Sequence, residues 1–511
     1  MTETGEGMDN TQMRKTILSV LGVIFAVVLV KTAWVSDDSY ITLRVVDNLV
    51  HGYGLVWNVG ERVQAFTAPL WLLVFSVVYA ITREDYFTFI SFMMVISIAA
   101  FILVGLKISK NWIAVSCGLL ILILSKAYTD YSTSGMENPL SHLLLAIFAW
   151  VYFAIEERTL KRLFILGLIA SLAALNRLDT LLLYLPILIF ETIQIRKIKA
   201  LCFLVLSFVP VIGWEVFSVI YYGFFLPNTA YAKLSTGVPL FLYLKQGVTY
   251  FLNSVVVDPI TLLTIGTVLV LIFLSRNNRW RLFGIGIVLY LLYIIYIGGD
   301  FMTGRFFSLP LLASVILLIQ YLDSMPKEVV FASMGFVAVF YLANLILFPY
   351  TKLPLFDQNG IADERLNYFS TTGLVYYNRI YSYPSMMWAK SGKDLRVSGV
   401  KYYVTGSIGF LGYFAGPKVY IVDQNALADP LLARLPITDK VGWRIGHFTR
   451  DLPQGYLETI TSGTNVISDP SLAKYYDKLL IITRGRIWSW DRFITIWKMN
   501  TGQYNFWLPA G

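Results

Sequence analysis

Apolar runs long enough to cross a bilayer alternate with short polar loops over the first 350 residues. They fall at roughly 16–35, 86–106, 111–125, 139–155, 163–175, 180–195, 200–220, 259–275, 282–297, 306–322 and 329–349. A helix crosses with about 20 predominantly apolar residues, fewer where its flanks complete the span. One further run, "APLWLLVFSVVYAI" at 68–81, is also short. If it crossed, the loop "KISKN" with Lys107 and Lys110 would face outward, together with every later basic loop. If it lies in the outer interface, "KISK", "EERTLKR", "IRKIK", "SRNNRWR" and "SMPKE" all fall on the cytoplasmic side, as the positive-inside bias requires. The pattern therefore predicts a multispan α-helical membrane protein of about 11 transmembrane helices, with its N-terminus inside and its C-terminal part outside.

This topology gathers the polar segments on one face. "SDDSY…FTAP", "AYTDYSTSGMEN", "LNRLDT", "GFFLPNTAYAKLSTG" and "GGDFMTGR" all lie outside, with everything after about residue 350. In that last part Gly, Pro, Asp and Lys recur and no run is long enough to span. "VKYYVTG", "KVYIVD" and "LLIITRG" read as strands and "ADPLLARL" as a helix, which predicts an extracytoplasmic α/β domain. The expected organisation is a transmembrane domain at 1–350, carrying a long external loop at 36–71, and the outer domain at 351–511. The first dozen residues are polar and expected to be unstructured. The first apolar run is too long for a signal-peptide core and lacks a small-residue cleavage site, so it reads as an uncleaved span. There is no internal repeat and no inverted pairing of broken helices of the kind that marks many transporters.

Composition agrees with the pattern. Hydrophobic residues make up 57% and charged residues 14%, too apolar for a soluble enzyme. The formal charge of +9 comes mostly from loop Lys and Arg that orient the chain. No basic run with interleaved aromatics exists, so nucleic acid is excluded as a partner. Cys117 and Cys202 both lie in apolar runs, which excludes a disulfide framework and CxxC metal spacing. His51, His142 and His447 are too far apart in sequence to suggest a zinc site.

The polar loops carry the candidate chemistry. Asp37 and Asp38 stand side by side at the outer end of the first span. A solvated helix cap would explain them alone, but they open a loop rich in Gly, aromatic and charged residues, with Arg44, Asp47, Glu61 and Arg62. Loops of that length in compact proteins are usually functional. A carboxylate there can deprotonate a hydroxyl, and two adjacent acids can also hold a divalent cation, Mg²⁺ or Mn²⁺. Glu137 in "SGMENPL" equally suits a helix start, Arg177 and Asp179 in "LNRLDT" a local ion pair, and Lys233 a snorkelling side chain. Asp300 and Arg305 sit among glycines in "GGDFMTGRF". Together these loops bring at least three carboxylates and three cations (Arg177, Lys233, Arg305) to one face. Carboxylates suit a sugar hydroxyl, and cations suit a phosphate leaving group. Outside the cell no nucleotide sugar is at hand, so a polyprenyl-phosphate sugar is the donor that fits both apolar walls and cations.

The series "DDSYITLRVVDNL…GYGLVWNVGERVQAFTAPLW", "SGMENPL", "NRLDTLLL", "PNTAYAK" and "GGDFMTGRF" resembles GT-C glycosyltransferases that use polyprenyl-phosphate sugars, above all the terminal arabinofuranosyltransferases of mycobacterial cell walls and their bacterial relatives. "GSIGFLGYFAGPKVYIVDQNALADPLLARL" and "RIGHF" extend the resemblance over most of the chain. It implies a catalytic aspartate in the first external loop, at Asp37 or Asp38. It also implies a donor site drawn from Arg44, Glu61, Arg62, Arg177, Asp179, Lys233, Asp300 and Arg305, with Glu137 and His447 toward the acceptor. The implied location is the bacterial cytoplasmic membrane with the active site outside. The implied acceptor is a cell-surface glycan or an exported protein. The chain departs from the group's pattern at Gln64, Ala65, Ala68 and Leu178, which bears on sugar and acceptor more than on reaction class. Two alternatives use the same charges differently: a lipid-linked sugar transporter or flippase, and a non-catalytic assembly subunit. One-sided polar loops argue against the first, since alternating access needs polar sites near the bilayer midplane. The second would tolerate loss of both aspartates.

Overall fold

The structure is a computed structural model that describes residues 10–234, 236–347, 357–378 and 383–509. The expected domain boundary at 350/351 lies outside the described residues, as do residues 1–9; helix α1 already begins at Asn10, inside the stretch expected to be unstructured.

The first half is helical: α1 (Asn10–Thr32), α2 (Asp37–Val50), α3 (Pro69–Thr82), α4 (Tyr86–Lys107), α5 (Trp112–Leu124), α6 (Lys126–Asp130), α7 (Asn138–Ala154), α8 (Leu160–Asn176) and α9 (Leu181–Ile195). Then follow α10 (Ile198–Ser207), α11 (Val209–Tyr221), α12 (Asn228–Leu234), α13 (Leu240–Val257), α14 (Pro259–Leu274), α15 (Asn278–Tyr296), α16 (Ser308–Asp323) and α17 (Lys327–Leu347). Among the described residues six helices are long and apolar enough to cross a membrane, or seven if the bent pair α10 and α11 is one span. The chain is a multispan membrane protein. α3, α5, α7 and α14 are apolar but shorter. The single run expected at 200–220 is two helices meeting at 53°; Pro210 in the first turn of α11 has no N–H to continue α10.

The segment expected to be a loop at 36–71 is helical over its first part, because Asp37 and Asp38 favour the positive end of α2. Val35 and Tyr86 both bond to Thr372, through the Val35 N–H at 3.3 Å and the Tyr86 hydroxyl at 2.8 Å. The chain therefore leaves α1 and re-enters α4 at one level. Between them α3 lies along α2, with the Tyr79 hydroxyl donating to Asp47 at 2.6 Å. At the other end, Arg14 of α1 donates to the carbonyls of Leu106 and Ser109, both at 3.0 Å. The sequence reading passed over α13. Both of its halves lie at the level of the polar loops: Tyr250 donates to the Met302 carbonyl and Asn253 to Asp357, and an added Cβ on Gly298 would meet Tyr243 at 3.0 Å.

The remaining elements are α18 (Glu364–Thr372), α19 (Met387–Ser398), β1 (Tyr402–Thr405), α20 (Phe410–Ala415), β2 (Tyr420–Asp423), α21 (Tyr456–Ser462), α22 (Pro470–Arg484) and α23 (Trp490–Asn500). β1 and β2 pair in parallel, Tyr402 opposite Tyr420 through Thr405 opposite Asp423, where the alternation in "VKYYVTG" and "KVYIVD" placed strands. Two expectations fail here. "LLIITRG" is the end of helix α22, whose start is set by Asp469 accepting from the N–H groups of Ser471 and Leu472 and by Pro470 in the first turn. "ADPLLARL" forms only a single 3-10 turn, Leu432–Arg434. Tyr368, Phe410, Leu411 and Ile421 share one core with Trp34, Tyr40 and Trp57 of the N-terminal half. A second, smaller core joins α21, α22 and α23 to Phe224 and Ala232.

Candidate active site

Asp37 and Asp38 open into a cavity of about 110 Å³ between α2 and the C-terminal part of the chain. Ile41 of α2, Lys233 of α12, Phe301, Glu364 and Tyr368 of α18, Trp388, Ser407, Asn425, Arg444 and His447 also line it. The two aspartates are held differently. Asp37 accepts from the backbone N–H groups of Phe410 at 2.7 Å and Gly409 at 3.2 Å, at the start of α20. Only glycine fits at 409, since a Cβ there would stand 1.9 Å from the Asp37 carbonyl oxygen. Asp38 makes no hydrogen bond among the described residues. The positive charges of Arg305 and Lys233 favour its ionised form, and the negative charges of Asp300 and Glu137 oppose it.

Burial dominates the proton affinities. It pushes Asp37 up to about 7, Asp38's charge adding to the rise and the Phe410 and Gly409 N–H groups opposing it. Burial also raises Asp38, against the pull of Arg305 and Lys233. Glu364 is pushed up to about 8 by burial and then by Asp38's charge. His447, held down to about 4 by burial and by neighbouring Arg444, is neutral at pH 7. Its ring meets Phe301 edge-on at 4.5 Å, and the Arg444 guanidinium lies 5.2 Å over the Phe301 ring.

Beside the cavity, on the side of the membrane helices, lies a network of paired charges. Arg305 reaches Glu137 at 3.1 Å and Asp300 at 3.2 Å. Arg177 reaches Glu137 at 3.4 Å and grips Asp179 at 2.6 and 3.1 Å. The Tyr290 hydroxyl donates to Asp179 at 2.8 Å, and Arg177 stacks on Phe306. The structure thus brings Glu137, Arg177, Asp179, Asp300 and Arg305 together, but none of them lines the cavity.

Three more candidates stand elsewhere. Arg44 is buried on the Trp57 ring at 4.1 Å and donates to the carbonyls of Trp57, Gly412 and Val419. Glu61 pairs with Arg484 at 3.0 Å and accepts from the Tyr420 hydroxyl at 2.8 Å. Arg62 donates to the carbonyls of Ile482 and Gly485. All three fasten the segment after α2 to the C-terminal part of the chain. The sequence reading missed Glu364, Trp388 and Arg444. Arg444 had a signal, since it opens the "RIGHF" stretch that ends beside His447. Glu364 had none, because only the fold brings it to Asp37 and Asp38. Among the described residues no group of three or more His, Cys, Asp or Glu could hold a metal ion, so a donor set for a divalent cation at the two aspartates stops at that pair.

No family model matches the chain. It is 30% identical over 240 residues to the terminal β-(1→2)-arabinofuranosyltransferase of Mycobacterium tuberculosis, an alignment covering 43% of this chain and 37% of that protein. It is 25% identical over 337 residues to the terminal β-(1→2)-arabinofuranosyltransferase of Corynebacterium glutamicum, covering 55% and 47%. The chain spans less than half the length of these curated relatives. In structure it is similar to ArnT from Cupriavidus metallidurans, solved bound to undecaprenyl phosphate, with a TM-score of 0.53 and 12% identity over 81% of this chain and 86% of that one. The chain has the fold of ArnT. The resemblance drawn from the motifs is thereby met twice, by sequence similarity to arabinofuranosyltransferases and by ArnT's fold.

Proposed function

We propose that this protein transfers a sugar, arabinofuranose or a similar pentofuranose, from a polyprenyl phosphate to a hydroxyl of a cell-surface glycan or an exported protein. The observation that carries this reading is the division of labour between the two aspartates. Asp37 is committed to backbone N–H groups, while Asp38, without a hydrogen bond among the described residues, lines the cavity with Lys233, Arg444 and His447. Similarity to the two arabinofuranosyltransferases supports the sugar class, and ArnT's structure with undecaprenyl phosphate supports the lipid carrier.

In this mechanism the acceptor hydroxyl lies against Asp38, which takes its proton as the new bond to the sugar's anomeric carbon forms. The bond from that carbon to the phosphate oxygen breaks, and the lipid phosphate leaves with the electron pair beside Lys233. A cation close to the leaving oxygen stabilises charge that develops only in the transition state. Arg177 and Arg305, already paired with protein carboxylates, hold the shape of the site, and Arg305 also favours the ionised form of Asp38.

The protein is further proposed to cross a bacterial cytoplasmic membrane eleven times with the cavity outside. The spans are α1, α4, α5, α7, α8, α9, the bent pair α10 and α11, α14, α15, α16 and α17; α3 and α13 lie along the outer interface. The bonds that keep Val35 level with Tyr86, and α13 level with Met302, support this assignment. The testing assay is arabinose transfer from a synthetic polyprenyl-phosphate arabinofuranose in proteoliposomes, wild type beside Asp38→Asn. Transfer in wild type that disappears in the variant supports the reading. Undiminished transfer in Asp38→Asn refutes the assigned base, and none in wild type refutes this donor.

A further inference from the structure

Helix α23 has one packed face and one bare apolar face. On the packed face Arg492, Thr495, Ile496 and Met499 are buried. The other carries Trp490, Ile494 and Trp497 at i, i+4 and i+7, exposed by 84%, 51% and 68%, and Trp488 just before the helix is 77% exposed. Spacing of that kind describes a continuous stripe along a helix. Large aromatics left bare in a row are not what a water-facing surface holds, and contiguous apolar patches mark interaction sites.

The height of this helix is set by a membrane helix. The buried Arg492 guanidinium donates to the carbonyls of Ile220 at 2.7 Å and Tyr221 at 2.9 Å, the last turn of α11. Asn500 donates to the Gly223 carbonyl at 2.8 Å. Gly223 itself has φ +87°, and a Cβ there would meet Ile482 at 2.2 Å, so α22 and α23 sit directly on the end of α11. Along α11, Val209, Ile212 and Val216 are bare as on a lipid-facing helix, and just past its end Phe225 is 59% exposed. Exposed apolar side chains therefore stand on both elements that Arg492 joins, on α11 with Phe225 past its end and on α23, and the end of a membrane helix is the depth where Trp rings sit best.

We propose that α23 is an interfacial helix, with Trp488, Trp490 and Trp497 lying among the lipid headgroups at the membrane face where α11 ends. The partner is the bilayer surface. The contact fixes the C-terminal part of the chain against the membrane independently of what the cavity binds.

The test uses the full chain with Cys117→Ala and Cys202→Ser, a nitrobenzoxadiazole label on Trp497→Cys as the single cysteine, and a second form labelled on Val397→Cys. Val397 is 84% exposed beside Lys393 and Asp394 and serves as the water-facing reference. Both are reconstituted in phosphatidylethanolamine–phosphatidylglycerol vesicles, with a nitroxide near the lipid carbonyls in half of the samples. The expected result is several-fold weaker quenching by iodide at 497 than at 397, and strong quenching by the lipid nitroxide at 497 only. Equal iodide quenching at both positions overturns the proposal. So does shielding at 497 that vanishes when the protein is diluted in lipid, which would assign the stripe to a second copy of the chain. Neither readout depends on sugar transfer, so it fails or stands apart from the proposed activity.

Discussion

Removing the Asp37 carboxylate should cost stability, whereas removing Asp38's should cost activity. Asp37 joins the start of α2 to the start of α20 by accepting two N–H bonds, at 2.7 Å from Phe410 and 3.2 Å from Gly409. Asp37→Ala leaves both donors without a partner in a shielded place. Each orphaned group costs about 1–3 kcal/mol, so the loss is about 2–6 kcal/mol. Asp37→Asn keeps an oxygen acceptor and should lose only about 1 kcal/mol, the extra strength of a charged acceptor. Asp38 has no such bonds, and its proton affinity is raised by burial. Asp38→Asn removes a charge that burial already disfavours and should therefore cost no stability, while slowing transfer by ~10²–10⁴-fold, the range for removal of a general base. Thermal unfolding in detergent and single-turnover transfer in proteoliposomes read the two effects separately. If Asp38→Asn destabilises as much as Asp37→Ala, or if Asp37→Asn is folded and as inactive as Asp38→Asn, the division of roles is wrong.

Further outcomes follow from the same geometry. Glu137→Gln removes the carboxylate shared by Arg177 and Arg305; because each keeps a second acid, the loss should sit at the low end of the ~3–5 kcal/mol typical of a broken buried pair, read as a lowered unfolding midpoint. Transfer needs Asp38 deprotonated, and its affinity is raised, so the acid limb of the rate profile should lie above the ordinary carboxylate range. Stability has the opposite slope: the folded state holds protons on Asp37 up to about 7 and on Glu364 up to about 8, above their usual 3.8 and 4.5. Stability should therefore fall as pH rises through that window, and Glu364→Gln should flatten the fall. Lys233→Met should raise the KM for the lipid donor with little effect on unfolding, because Lys233 forms no ion pair among the described residues. A cysteine placed at Lys107 should resist external thiol reagents in cells, and free labelling there would invert the topology.

The sequence was legible where a single segment carries its own signal. Asp37 and Asp38 stand out because two charges follow an apolar run, and β1 and β2 because their residues alternate. It misled where a short apolar run fits two structures: "LLIITR" is rich in strand-forming residues, yet it completes the helical turns begun at Asp469 and Pro470. α13 was passed over because Lys245 and Gln246 interrupt its apolar stretch. For the site, nearness along the chain was a poor guide. Arg44, Glu61 and Arg62 share a segment with the aspartates but turn to carbonyls and acids of the C-terminal part, whereas Glu364, more than 300 residues away, lines the same cavity. What separates a binding cation from a structural one is what it already holds. Arg177 and Arg305 share Glu137, and each has a second carboxylate of its own. An anionic ligand would have to displace those acids to be gripped by either arginine. Among the described residues Lys233 has no such partner to give up, and it is the cation of the three that lines the cavity.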